Sequence, residues 1–151
     1  MDKVVQFSVF LANKAGVLSQ IFRALAKAKV NISALAMMDA SEHGVLRMIT
    51  DDIDDARRVL TALNIPVTET DVLAVPLSNR PGAVADVCER LSGGGINVSY
   101  LYCTTGSKTG KAVAVFKVPD IRKAIRSLET AKNQRRDMKV KLRRPRSMTK
   151  R

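Results

Sequence analysis

Apolar and polar positions alternate along the start of the chain. Val5, Phe7, Val9 and Leu11 share one parity, and Val4, Gln6, Ser8 and Phe10 share the other, so this stretch reads as a strand. The period then changes. Leu18, Ile21, Phe22 and Leu25 recur at helical spacing and predict an amphipathic helix. Residues 30–38 read as extended, Ser41 to Gly44 as a hairpin, and Val45 to Thr50 as the next strand. Ile53, Ala56, Leu60 and Leu63 form a second helical stripe, and Pro66 to Thr70 a last short strand.

The same series then starts again. Leu73, Val75 and Leu77 alternate as a strand, with Pro76 expected close to its end because proline lacks the N–H that an interior strand donates. Val84, Val87, Cys88 and Leu91 make a helical stripe that Gly93, Gly94 and Gly95 stop. Residues 96–103, a hairpin at Gly106 to Gly110, a strand from Ala112 to Val118 and a stripe of Ile121, Ala124, Ile125 and Leu128 follow. Met138 to Leu142 completes the set, with Val140 and Leu142 inward and Lys139 and Lys141 outward.

Residue identities repeat as well as the pattern. At an offset of 66, Asn13, Gly16, Leu25, Asn31, Ser33 and Leu35 meet Asn79, Gly82, Leu91, Asn97, Ser99 and Leu101. At an offset of 68, D-I-D-D-A-R-R-V-L (52–60) meets D-I-R-K-A-I-R-S-L (120–128), so the second copy holds two extra residues between the matches. The expected fold is α+β: two ferredoxin-like βαββαβ units, each an antiparallel sheet with its helices on one face. The expected units are residues 1–70 and 71–142, with a basic tail over 143–151. The linker is almost absent, so the two sheets should sit close together.

Composition narrows the class. A chain of 151 residues buries roughly two-thirds of its unfolded surface. The hydrophobic share of 46% fits a soluble globular protein. No apolar run reaches membrane-spanning length, and the N-terminus lacks a signal-peptide layout, so a cytoplasmic location is expected. Cys88 and Cys103 read as two reduced core thiols. The net charge of +12 is uneven. Residues 1–70 carry 8 bases and 8 acids, whereas Arg135 to Arg151 carry 9 bases against Asp137 alone. The basic character therefore belongs mainly to the C-terminal segment.

The strand-to-helix corners hold the candidate chemistry. Asn13, Lys14, Ala15, Gly16, Val17 and Leu18 form one, and Asn79, Arg80, Pro81, Gly82, Ala83 and Val84 the other. Free N–H groups and the dipole at a helix N-terminus favour an anion such as a carboxylate. Glycine permits close approach. Asparagine offers an acceptor and donors to one ligand. The competing structural reading is that Asn caps the helix and Gly turns the corner. Asn31 with Ile32, and Asn97 with Val98, open the second strands as turn residues or as ligand contacts. N-I-S and N-V-S are formal glycosylation acceptors, a reading set aside for want of a secretory signal.

N-R-P-G-A-V, a helix and then G-I-N-V-S resemble the ACT domain, and N-K-A-G-V-L with K-V-N-I-S resembles a second copy. The resemblance spans residues 4 to about 142. It implies a regulatory module that binds an amino acid or similar metabolite at an interface between two such domains. The Asn13–Leu18 loop would then face the Asn31 region of a partner domain, and Asn79–Val84 the Asn97 region. Ala15 stands where the family often has proline, as Pro81 does, which implies a looser first loop.

The remaining inventory offers no catalytic set. His43 is the only histidine and lies at a hairpin. No Cys/His spacing suggests zinc, and no nucleophile pairs with a base. G-S-K-T-G-K-A (106–112) resembles a phosphate loop but has the wrong glycine spacing. Asp51, Asp52, Asp54 and Asp55 read as capping at a helix start rather than as metal ligands. An RNA-binding sheet needs exposed aromatics on its middle strands; Val45 to Thr50 has none and Ala112 to Val118 only Phe116, while Tyr100 and Tyr102 read as packing.

The expected function is a non-catalytic amino-acid-binding regulatory or sensor protein without a cofactor. A homodimer is expected, with a regulated enzyme or regulator as a further partner and no membrane. The alternative is a nucleic-acid or acidic-protein interaction module using the basic tail; nucleic acid is the less favoured partner.

Overall fold

The computed structural model describes residues 1–38, 43–104 and 111–130. The elements run β1 (Asp2–Ala12), α1 (Val17–Lys27), β2 (Ile32–Met38), β3 (His43–Thr50), α2 (Ile53–Ala62), β4 (Val67–Ser78), α3 (Ala83–Gly93), β5 (Tyr100–Cys103) and β6 (Lys111–Lys117). A further helix, α4, occupies residues 121–130. The expected hairpin at 106–110 and strand at 138–142, together with the tail, lie outside the described residues.

Repeat pairing is as the sequence implies, but the join is tighter. The strands form one antiparallel sheet in the order β2-β3-β1-β4-β6-β5, rather than two adjacent sheets. The cause is β4, in which the expected strands 66–70 and 73–77 are one continuous element. Its first part, Val67 to Ala74, pairs with β1, and its last part, Leu73 to Ser78, pairs with β6. The expected unit boundary at residues 70 and 71 therefore falls within a strand. Pro76 lies past Ala74, where β1 has ended and only β6 still pairs, so its missing N–H is tolerated.

Register settles the faces, since paired residues in an antiparallel sheet project to the same side. Phe7 pairs with Met48 on one flank and Glu69 on the other, and Leu73 pairs with Phe116. One face therefore carries Phe7, Val9, Leu46, Met48, Leu73, Val75, Ala114 and Phe116, and all the helices pack there. Ile21, Leu25, Ala56 and Leu60 from α1 and α2 fill the first core. Val87, Leu91, Ala124 and Leu128 from α3 and α4 fill the second. Phe7, Ile21, Leu91 and Phe116 are fully buried, so truncating any one to alanine would cost about 3 kcal/mol or more.

The opposite face is also covered, by side chains. Ala34, Ile49, Val72 and Val115 form a third buried cluster with Val4 and Tyr102 against it. The Arg47 guanidinium on β3 lies 3.7 Å from the ring centre of Tyr100 on β5. Those strands stand four spacings apart, about 19 Å along a flat sheet. The contact requires the helix-free face to curl into a concave surface.

Candidate functional site

The two corners have the same backbone. Gly16 (φ 92°, ψ −20°) and Gly82 (φ 82°, ψ −6°) are the N-caps of α1 and α3, both left-handed. Lys14 N–H donates to the Ala12 carbonyl and Arg80 N–H to that of Ser78, each at 2.9 Å. Gln20 N–H donates to the Gly16 carbonyl and Asp86 N–H to that of Gly82, again at 2.9 Å. Glycine holds the cap because the left-handed conformation costs other residues roughly 1–2 kcal/mol. The capping role that the sequence allowed Asn13 and Asn79 is not taken: with glycine at the cap, no side chain closes either helix. Helix geometry leaves N–H groups of the first turn unpaired, at Leu18 and Ser19 in one corner and Val84 and Ala85 in the other. Asn13, Lys14 and Ala15 are exposed, as are Asn79, Arg80 and Pro81, while Val17, Leu18 and Val84 are half-buried and Ala83 is buried.

The corners differ in what lies over them. Arg80 reaches Asp86 in the first turn of α3 at 2.5 Å, and its other terminal nitrogen donates to the Pro81 carbonyl at 3.0 Å. That guanidinium lies above Gly82, 3.6 Å from where a Cβ would stand. The residue equivalent to Asp86 in the first copy is Gln20. Sequence spacing gave no signal for this pair, because six residues is not a helical interval and the chain turns between them. Beside the second corner a cleft of about 370 Å³ is lined by Pro76, Ser78, Arg80, Ala83, Asp86 and Arg90, among others. Its size falls in the range of small-ligand sites.

The strand-start asparagines sit elsewhere. Ala12 pairs with His43 at one end of β3, and Ile32 with Thr50 at the other. Asn13 and Asn31 are therefore separated by the length of β3, 8 residues, or about 25 Å. Asn31 and its half-buried neighbour Ile32 are tied toward α2: Asn31 N–H donates to Asp51 Oδ1 at 2.8 Å, and its carbonyl accepts from Asp51 N–H at 3.1 Å. The second copy repeats this separation. Ser78 pairs with Lys111 at one end of β6, and Tyr100 with Lys117 at the other, the end from which Asn97 and half-buried Val98 enter. Within each copy the chain does not bring corner and asparagine together.

Other candidates resolve simply. Asp52 caps α2, accepting from Asp55 N–H at 2.8 Å, while Asp54 and Asp55 pair with Arg57 and Arg58. His43 is exposed at the start of β3. Cys88 and Cys103 are free thiols. Cys103, expected in the core, is exposed, because β5 is an edge strand; partial burial still pushes its thiol pKa up. Tyr100 and Tyr102 do more than pack: both hydroxyls bond the side chain of fully buried Gln6.

The chain thus holds a tandem pair of βαββ-type units on one shared sheet, each with a glycine-capped corner. A family model described as an ACT domain pair matches residues 2–134, and the chain belongs to that family. It is similar to protein BT0572 from Bacteroides thetaiotaomicron, at 34% identity, covering 86% of this chain and 89% of that one, with a TM-score of 0.80. The regulatory subunit of aspartate kinase from Thermus thermophilus, in its ligand-free form, shares the fold at 15% identity, covering 87% and 93%, with a TM-score of 0.63. That of Thermus flavus does so at 16% identity, covering 86% and 94%, with a TM-score of 0.57. Curated proteins give no match.

Proposed function

We propose that this chain is a non-catalytic regulatory protein that binds an amino acid at its glycine-capped corners. The observation that carries the reading is the identical left-handed cap at Gly16 and Gly82, which leaves first-turn N–H groups free beside an exposed asparagine. A carboxylate suits those N–H groups and the positive end of the helix dipole. An ammonium suits the carbonyl oxygen of Asn13 or Asn79. The related fold of aspartate kinase regulatory subunits supports a role of this kind, with a regulated enzyme or regulator downstream.

Sheet topology supports completion of each site by a second copy. β2 and β5 are the edge strands, and each exposes a leucine at the equivalent position, Leu35 at 51% and Leu101 at 41%. Antiparallel pairing of β2 with β2 of a second copy would bring that copy's Asn31 to the end of the sheet that holds the Asn13 corner. Pairing through β5 would do the same for Asn97 and the Asn79 corner. The separation of about 25 Å along the strands within one chain is then replaced by three strand spacings, about 14 Å, across two. Binding would favour the paired arrangement, and that preference is the signal. Free Cys88 and Cys103 suit a reducing compartment such as the cytoplasm.

Titration calorimetry with individual amino acids tests the reading. At least one should bind with micromolar to millimolar affinity, about −8 to −4 kcal/mol. Asn79→Ala should weaken that binding while the protein stays folded; an unchanged affinity places the ligand elsewhere.

A further inference from the structure

The two copies differ most in charge along the groove beside their second helices. In α2, Asp55 and Arg58 form an ion pair at 2.7 Å across one turn. The equivalent positions in α4 are Lys123 and Arg126, and Asp54 is likewise replaced by Arg122. An attractive pair has become a repulsive one, an arrangement that costs a helix stability. Arg90 from α3, equivalent to Ala24 in the first copy, adds a third cation. These three side chains line a groove of about 470 Å³ between α3 and α4, with Gly93, Gly94, Ser127 and Thr130 as its other walls and no carboxylate among them. At the start of α4, Asp120 accepts from the Lys123 N–H at 2.8 Å.

The groove is built rather than incidental. A Cβ on Gly94 would come within 2.5 Å of Ser127 Oγ, so glycine is what lets the end of α3 approach α4. Ser127 Oγ donates to the Arg90 carbonyl at 2.8 Å and fixes the two helices together. The negative end of the α3 dipole does attract cations here, but it amounts to roughly half a charge against three full ones. The described lining therefore keeps a net positive charge. The chain that follows α4 carries 9 bases against one acid over Arg135 to Arg151, which extends the same sign.

We propose that the α3–α4 groove, through Arg90, Lys123 and Arg126, binds the phosphate backbone of a nucleic acid. The site is separate from the corners and goes beyond the amino-acid reading; it gives a ligand-responsive protein an output surface. The lining favours phosphates over an acidic protein. Among the described residues it holds glycine, hydroxyl and cationic side chains but no apolar anchor, and a protein interface needs such an anchor at its centre. The described lining holds no aromatic side chain for base stacking, so contact is with the backbone and independent of sequence.

The test is fluorescence polarisation of the full chain with a short labelled DNA duplex across a range of salt. Lys123→Asp restores the charge pattern of the first copy and gives Arg126 a partner, so it should fold. With the tail intact in both proteins, the variant should bind about tenfold more weakly at low salt and lose about two from the salt slope. Lys123→Gln/Arg126→Gln serves as the second variant and should act in the same direction. Absence of duplex binding by the wild type, or unchanged affinity and slope in folded variants, overturns the proposal. So does equal, equally variant-sensitive binding of a poly-aspartate peptide, which would assign the groove to an acidic protein partner.

Discussion

Tyr102 donates its hydroxyl to Gln6 Oε1 at 3.1 Å, joining two residues that are 96 positions apart in sequence and lie in different repeats. Gln6 Nε2 donates to Tyr100 Oη at 2.9 Å and to Ser8 Oγ at 3.1 Å. The buried amide is thereby satisfied through both its hydrogens and its oxygen. With Arg47 stacked on Tyr100, this cluster closes the concave face over the seam between the copies. Partial burial pushes the Tyr102 hydroxyl pKa well above its ordinary value, so it remains a donor at physiological pH.

Gln6→Leu should destabilise the fold by about 2 kcal/mol, since it strands two hydroxyl groups in a partly buried setting. The readout is built in: Tyr100 and Tyr102 are the only tyrosines and the chain has no tryptophan, so intrinsic fluorescence reports on this cluster alone. Urea unfolding followed by that signal should show an earlier midpoint. A midpoint within error of wild type would mean that the cluster contributes nothing to stability.

Gly16→Ala and Gly82→Ala should each cost roughly 1–2 kcal/mol through backbone conformation. Space is not the reason: nothing lies within 4 Å of a Cβ on Gly16, and only Arg80 Nη1 at 3.6 Å on Gly82. Thermal unfolding should therefore show similar losses for both. If alanine is neutral at either corner, the left-handed cap is not held there.

Gly94→Ala should destabilise for the opposite reason, a clash with Ser127 at 2.5 Å. Adding Ser127→Ala should recover part of the loss, because the hydroxyl is the nearer of the two obstructing atoms. Strict additivity of the two substitutions in thermal unfolding would show that they do not touch.

Glu69 provides a pH dependence. Hydrogen bonding and charge from Arg57 hold its carboxyl below the ordinary glutamate value. A depressed folded pKa means that the stabilisation is fully present above the ordinary carboxylate range and is lost as pH falls through the lowered value. Glu69→Gln should flatten that acidic limb of the stability profile and leave the neutral region with only a small change, as the pair is exposed. An unchanged acidic limb would remove Glu69 from the account.

Most elements were legible because each buries a single face. The stripes at Leu18–Leu25 and Val84–Leu91, and the alternation through Phe7, Val9 and Leu11, carry their period in the sequence. The continuity of β4 was hidden because Thr68, Glu69, Thr70 and Asp71 interrupt the apolar pattern; Glu69 instead meets Arg57 of α2. Gln6 shares its parity with Ser8 and Phe10, and nothing in that pattern shows that Tyr100 and Tyr102 lie over it. The corners were legible as corners, but the structural reading gave the cap to asparagine and the turn to glycine, whereas glycine holds the cap in both. The opposite placement of Asn13 and Asn31 depends on strand direction, which no local signal carries.

The most direct test of amino-acid binding at the corners is a two-dimensional amide NMR titration of the full chain with an amino-acid mixture. The account predicts that the largest shifts fall at Gly82, Val84 and Ala85, or at their counterparts Gly16, Leu18 and Ser19. Shifts confined to other parts of the fold, or none with any amino acid, would contradict it.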